Sequence, residues 1–125
     1  MSGTKLDGVG TQKMKTLDEA TLVLQRLHGL VERMAIDVKA QKGFGVYPQQ
    51  LKRLATPLQG QLKGQFGLIA DQVAQLILVA GRGGGEQVKV RALRESVAQI
   101  RTALEIAAAK VKDQHAIPIE TVGDA

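Results

Sequence analysis

The chain contains no cysteine. That excludes a disulfide scaffold, a thiolate zinc finger, an iron–sulfur centre and a thiol nucleophile. Tryptophan is also missing. Aromatic residues are 2% of the 125 positions, namely Phe44, Tyr47 and Phe66, so the core has to be aliphatic. Long hydrophobic runs are lacking too. The most apolar stretch, Leu68 to Ala80, covers 13 residues and includes Asp71, Gln72 and Gln75. A membrane-spanning helix needs ~20 residues with almost no charge, so a core helix and no membrane association are expected. The opening MSGTKLDGVGTQKMKT is polar and glycine-rich, without the apolar stretch of a secretory leader. A cytoplasmic protein is the expectation.

What is present fits one ordinary globular domain. Hydrophobic residues are 44% and charged residues 23%, near the average for such domains. The length matches a single domain of ~100–150 residues. The net charge is +5 and the pI near 9.8.

The pattern predicts a flexible basic arm over 1–16, a helical body over 17–113 and a flexible tail over 114–125. Thr16 and Glu19 form a capping-box pattern that would open the first helix. Its apolar residues are Leu17, Ala20, Leu24, Leu27, Val31, Met34 and Val38, spaced 3, 4, 3, 4, 3, 4. That is a heptad seam, which argues for packing against another helix at about +20°. Gly43 and Gly45 are expected to end it. Pro48 suits the first turn of a second helix. Pro57 would break that helix at a cost of ~3 kcal/mol, so a restart is expected, with Thr56 as N-cap and Gln59 completing a capping box. This gives a short helix over 48–55 and a longer one over 57–81, with one kinked helix as the alternative. Gly60, Gly64 and Gly67 within the longer segment imply either close approach of another backbone or a bend. The Gly81–Gly85 run is a linker. A last helix over 86–113 carries Val90, Leu93, Val97, Ile100, Leu104, Ala107 and Val111 at the same heptad spacing. Arg91–Glu95 and Arg101–Glu105 are i,i+4 pairs along it. The expected fold is all-α: a bundle of three long helices plus one short helix, a three- to four-helix bundle. Apolar surface left over from long helices favours a homo-oligomer.

Enzymatic chemistry finds few candidates. The only histidines are His28 and His115, and the only serines are Ser2 and Ser96. His28 flanks the first seam, His115 lies in the tail, and Ser96 has no base in view, so no hydrolase triad assembles. Residues 25 and 112 are Gln and Lys, so the Glu-x-x-His pairs of di-iron bundles are missing. The loop Gly81–Glu86 lacks the lysine and preceding strand of a P-loop. No catalytic residue, metal or cofactor is expected.

The charge is unevenly spread. By segment it is +2 over the arm, zero over 17–42, +3 over 43–85, +2 over 86–113 and −2 over the tail. Lys52, Arg53 and Lys63 lie in the middle segment. Arg94 and Arg101 share a stripe of the last helix, with Arg91 beside it. These six are the candidate contacts to nucleic-acid backbone. Scarce aromatics argue against base stacking. The alternative is a non-catalytic module whose heptad seams bind a protein partner or a second copy.

Two stretches carry a resemblance. Gln50-Leu51-Lys52-Arg53-Leu54-Ala55 with Gly64-Gln65-Phe66-Gly67 looks like the second-helix pattern of a four-helix-bundle family. Leu93-Arg94-Glu95 through Ile106, with Ala109-Lys110, is similar to that family's following helix. The family comprises the ribosomal RNA intervening-sequence proteins and the accessory variability proteins of diversity-generating retroelements. The resemblance covers about half of the chain with generic motifs. The family's Asn-Ile-Ala-Glu-Gly run stands here as Gln61-Leu62-Lys63-Gly64, and residues 68–85 become an insertion. A second register, with Asp71–Arg82 as the second helix, removes the insertion and gives up the first match. The resemblance implies a small basic bundle, often a ring-shaped oligomer. It also implies that Lys52, Arg53, Lys63, Arg94 and Arg101 line a nucleic-acid-facing surface.

Overall fold

The structure, a computed structural model, describes residues 5–117, so residues 1–4 of the expected arm and 118–125 of the expected tail lie outside the described residues. It is all-helical, with four helices packed against one another: α1 (Gly8–Lys39), α2 (Tyr47–Leu62), α3 (Gly67–Gly81) and α4 (Glu86–Gln114). Each helix touches two others, in the cycle α1–α2–α3–α4–α1. The diagonals α1–α3 and α2–α4 make no contact. Short connections force each helix antiparallel to the one before it.

Both heptad seams face this shared core. Leu17, Ala20, Leu24, Leu27, Val31, Met34 and Val38 of α1 are buried, as are Val90, Leu93, Val97, Ile100, Leu104 and Val111 of α4. Ala107 is only half-buried. From the short helices come Leu51, Ala55, Leu58 and Leu62, then Ile69, Val73, Leu76 and Ala80.

Three sequence expectations need correction. The first concerns the start of α1. Residues 8–16, expected in a flexible arm, are helical. The cap is Asp7, whose Oδ1 accepts from the Gly10 N–H at 2.7 Å. Thr16 sits inside the helix and donates to the Gln12 carbonyl at 3.2 Å. A capping-box pattern cannot by itself tell a start from a mid-helix position.

The second concerns its end. α1 stops at Lys39, and Gln41 takes the left-handed turn with φ 64°. The N–H of Lys42 donates to the Asp37 carbonyl (2.8 Å) and that of Gln41 to Val38 (3.0 Å). That pair of bonds is the Schellman closure, made here without glycine. Gly43 follows at φ 78° in the loop.

The third is the break in the middle segment. α2 runs through Pro57. Thr56 does not cap; its hydroxyl donates back to the Lys52 carbonyl at 2.8 Å. The chain reverses instead at residues 63–66, where the Phe66 N–H donates to the Leu62 carbonyl (2.7 Å). The two helices over 48–55 and 57–81 are therefore replaced by α2 and α3, and the bundle has two long and two short helices. Gly64 lies in this turn, and Gly60 and Gly67 have open space where a Cβ would stand. None of the three has a positive φ or a close backbone neighbour.

Helix length sets the shape. At 1.5 Å per residue, α1 (32 residues) and α4 (29) span about 48 and 43 Å, while α2 (16) and α3 (15) span about 24 and 22 Å. The short pair is flush with the end where the 40–46 and 82–85 loops lie. At the other end α1 and α4 run on as a two-helix stalk. An antiparallel bridge between Leu6 and Ala116 closes it, and Asp7 Oδ2 meets His115 Nδ1 at 3.2 Å. A side chain on Gly10 would collide with His115.

Candidate nucleic-acid interface

The six basic candidates divide between α4 and the α2 segment. All six are exposed. Arg91, Arg94 and Arg101 belong to α4; Lys52 and Arg53 lie on α2, and Lys63 caps its C-terminal end. Because α2 and α4 are diagonal and do not touch, the structure does not bring the six into one surface.

On α4, Arg94 and Arg101 turn toward α1. Arg94 forms a two-pronged pair with Glu32: Nε donates to Oε2 at 2.9 Å and Nη2 to Oε1 at 2.8 Å. The Arg94 guanidinium, through these bonds, holds the Glu32 carboxyl below its ordinary value, and the Arg94 pKa rises correspondingly. Arg101 Nη2 lies 3.1 Å from His28 Nδ1. Arginine can only donate, so that ring nitrogen accepts. His28 Nε2 in turn stands 3.8 Å from Glu32 Oε2. This cluster stitches the α1–α4 seam on its wet side. The expected i,i+4 pairs Arg91–Glu95 and Arg101–Glu105 do not close, Arg101 being engaged across the seam.

The α2 side differs. Lys52 and Lys63 are eleven residues apart, about three turns and ~16 Å, so they share a face. Arg53 points about 100° around the helix from Lys52. No acidic residue occurs between Asp37 and Asp71. That interval also holds Lys39 and Lys42, at the end of the bundle where α2 begins. Among the described residues none of these five cations has an acidic group within ion-pair distance. Lys39 and Lys42 escaped the segment arithmetic because a boundary at residue 42 balanced them against the acids of α1. The missing acids between Asp37 and Asp71 were the readable signal.

The remaining polar groups offer little chemistry. Ser96 is buried in α4. Among the described residues no three metal-ligating side chains come together. Lys89 lies 4.6 Å from the centre of the Phe44 ring, a cation–π contact between α4 and the 40–46 loop. No helix of the described residues is long and apolar enough to cross a membrane. No protein-family model, curated protein or solved structure matches the chain.

Proposed function

We propose that the chain is a non-enzymatic accessory protein that binds the phosphate backbone of RNA or DNA through the α2 side of its bundle, as a homo-oligomer. One observation carries the reading: Lys39, Lys42, Lys52, Arg53 and Lys63 stand on an acid-free stretch with no internal ion pairs among the described residues. Such cations displace the counterions condensed on a phosphate chain, and that release drives binding. Phe44, Tyr47 and Phe66 are half-buried, which disfavours stacking on bases. The resemblance to the ribosomal intervening-sequence and retroelement accessory proteins points the same way.

Self-association is supported on the outer face of α1. Leu22 is 59% and Ile36 67% exposed, two heptads apart with Gly29 between them. A second copy packing there would leave α2 free. The rival module, which binds proteins through its heptad seams, is weakened because those seams are buried within the chain.

Fluorescence anisotropy of labelled duplex DNA and structured RNA at ~50 and ~200 mM salt tests the proposal, with light scattering for mass. Neutralising three phosphates predicts a loss of about 40-fold in affinity across that range. No binding at the lower salt would sink the nucleic-acid reading, and a monomeric mass would sink the oligomer.

A further inference from the structure

The difference in helix lengths leaves a cavity. Where the α2–α3 turn ends over the C-terminal third of α4, about 460 Å³ of space opens between Phe66, Ile69, Ile106 and Val111. That lies within the ~300–1,000 Å³ typical of small-molecule sites. Leu68 on its edge is 83% exposed and Ile106 is 52% exposed. The described side chains therefore do not fill this corner.

Two further features describe what would. Lys13 of α1 and Lys110 of α4 both line the cavity, and no carboxylate among the described residues does. Neither lysine has an acidic partner among the described residues. Gln72 also lines it, and its Oε1 is buried without a hydrogen-bond partner among the described residues. A buried acceptor left unpaired costs ~1–3 kcal/mol, which a ligand carrying a donor relieves. Side-chain amides turn readily, so the group can meet a donor placed in the cavity.

We infer that this corner binds a small amphipathic hydroxy-carboxylate. The apolar chain lies against Phe66, Ile69 and Ile106. The carboxylate sits between Lys13 and Lys110, and the hydroxyl donates to Gln72. None of the five α2-side cations lines the site, although Lys63 stands in the turn beside it, and the inference does not depend on nucleic-acid binding.

The test uses 3-hydroxydecanoate as the probe, below its micelle concentration, in titration calorimetry against the full chain at low salt. Saturable one-to-one binding at about 100 μM or tighter is expected. The doubly substituted Lys13→Gln/Lys110→Gln chain should bind at least about tenfold more weakly, because both charge-assisted contacts are gone. Decyltrimethylammonium, with the same chain length and the opposite charge, should bind at least as weakly as that. Lys110 is exposed and Lys13 half-buried, and circular dichroism checks that the double variant stays folded. A Lys39→Glu/Lys52→Glu chain, altered at cations away from the α2–α3 turn, should bind the probe unchanged. Absence of saturable heat, equal binding of the cationic amphiphile, or an unaltered affinity in the Lys13/Lys110 variant would each overturn the inference.

Discussion

The long helices and the short ones line the same core with the same aliphatic residues, but different features hold them in place. α1 and α4 carry uninterrupted seams and are stitched along their wet edge by Arg94–Glu32 and Arg101–His28. α2 and α3 have a proline inside one helix, three glycines near their junction and no ion pair among the described residues. The first pair is specified by local periodicity. The second is held by what it packs against. Charge follows the division in part: Arg94 and Arg101 of α4 are engaged with α1, whereas Lys52 and Arg53 of α2 have no acidic partner among the described residues.

The comparison breaks most sharply in the core. Leu27 of α1 and Leu58 of α2 are both essentially unexposed. Truncation to alanine should cost about 2–5 kcal/mol at either position, read as a shift in urea midpoint. A much smaller loss at Leu58 would mean that the short pair is not an equal part of the core.

Pro57 comes next. An interior proline costs ~3 kcal/mol relative to alanine, partly offset because it stiffens the unfolded chain. Pro57→Ala should stabilise the bundle by about 2 kcal/mol, seen as a higher melting temperature. Destabilisation would show that the proline serves the packing of α2.

The charge comparison is next. Lys52→Glu/Lys63→Glu should weaken nucleic-acid affinity at least about tenfold at ~50 mM salt and flatten its salt dependence. Arg94→Gln should leave affinity nearly unchanged, since that guanidinium already faces Glu32. The reverse pattern in anisotropy would move the interface to α4.

Gln41→Gly should stabilise by about 1 kcal/mol, because a left-handed residue with a Cβ is strained. Denaturant titration reads this directly.

The smallest expected effect is acid dependence. Arg94 holds Glu32 below its ordinary 4.5, and the Gly10 N–H, aided by His115, holds Asp7 below its ordinary 3.8. Both folded values lie under the unfolded ones. Their stabilisation is therefore complete above those ordinary values and is lost as pH falls through the depressed ones. An exposed pair such as Glu32–Arg94 is worth ~0.5 kcal/mol. Glu32→Gln should remove that increment near neutrality and flatten the stability profile below about pH 4.5.

Much of the core was readable in advance. Leu58, Leu62, Phe66, Ile69, Val73, Leu76 and Ala80 were expected on one side of a single helix; six are buried and Phe66 is half-buried, and a turn separates the first two from the last four. A four-residue reversal preserves which residues face the core, so apolar periodicity cannot see it. Lys63-Gly64-Gln65 carried the signal, but Pro57 carried a stronger local one and was given the break. The candidate site was readable only as a list of cations. Whether a given arginine is free depends on an acid 62 positions away, as with Arg94 and Glu32, and nothing in local spacing reports that.

Local pattern alone specifies the helical class, the aliphatic core and the two long seams, because spacing of 3 and 4 residues places side chains on one helical face whatever surrounds it. The tertiary structure decided where the middle segment folds back, which helices are neighbours, which cations are neutralised and where a cavity opens. Those outcomes depend on contacts between residues distant in the chain, whose energies together outweigh a single proline or a missing cap.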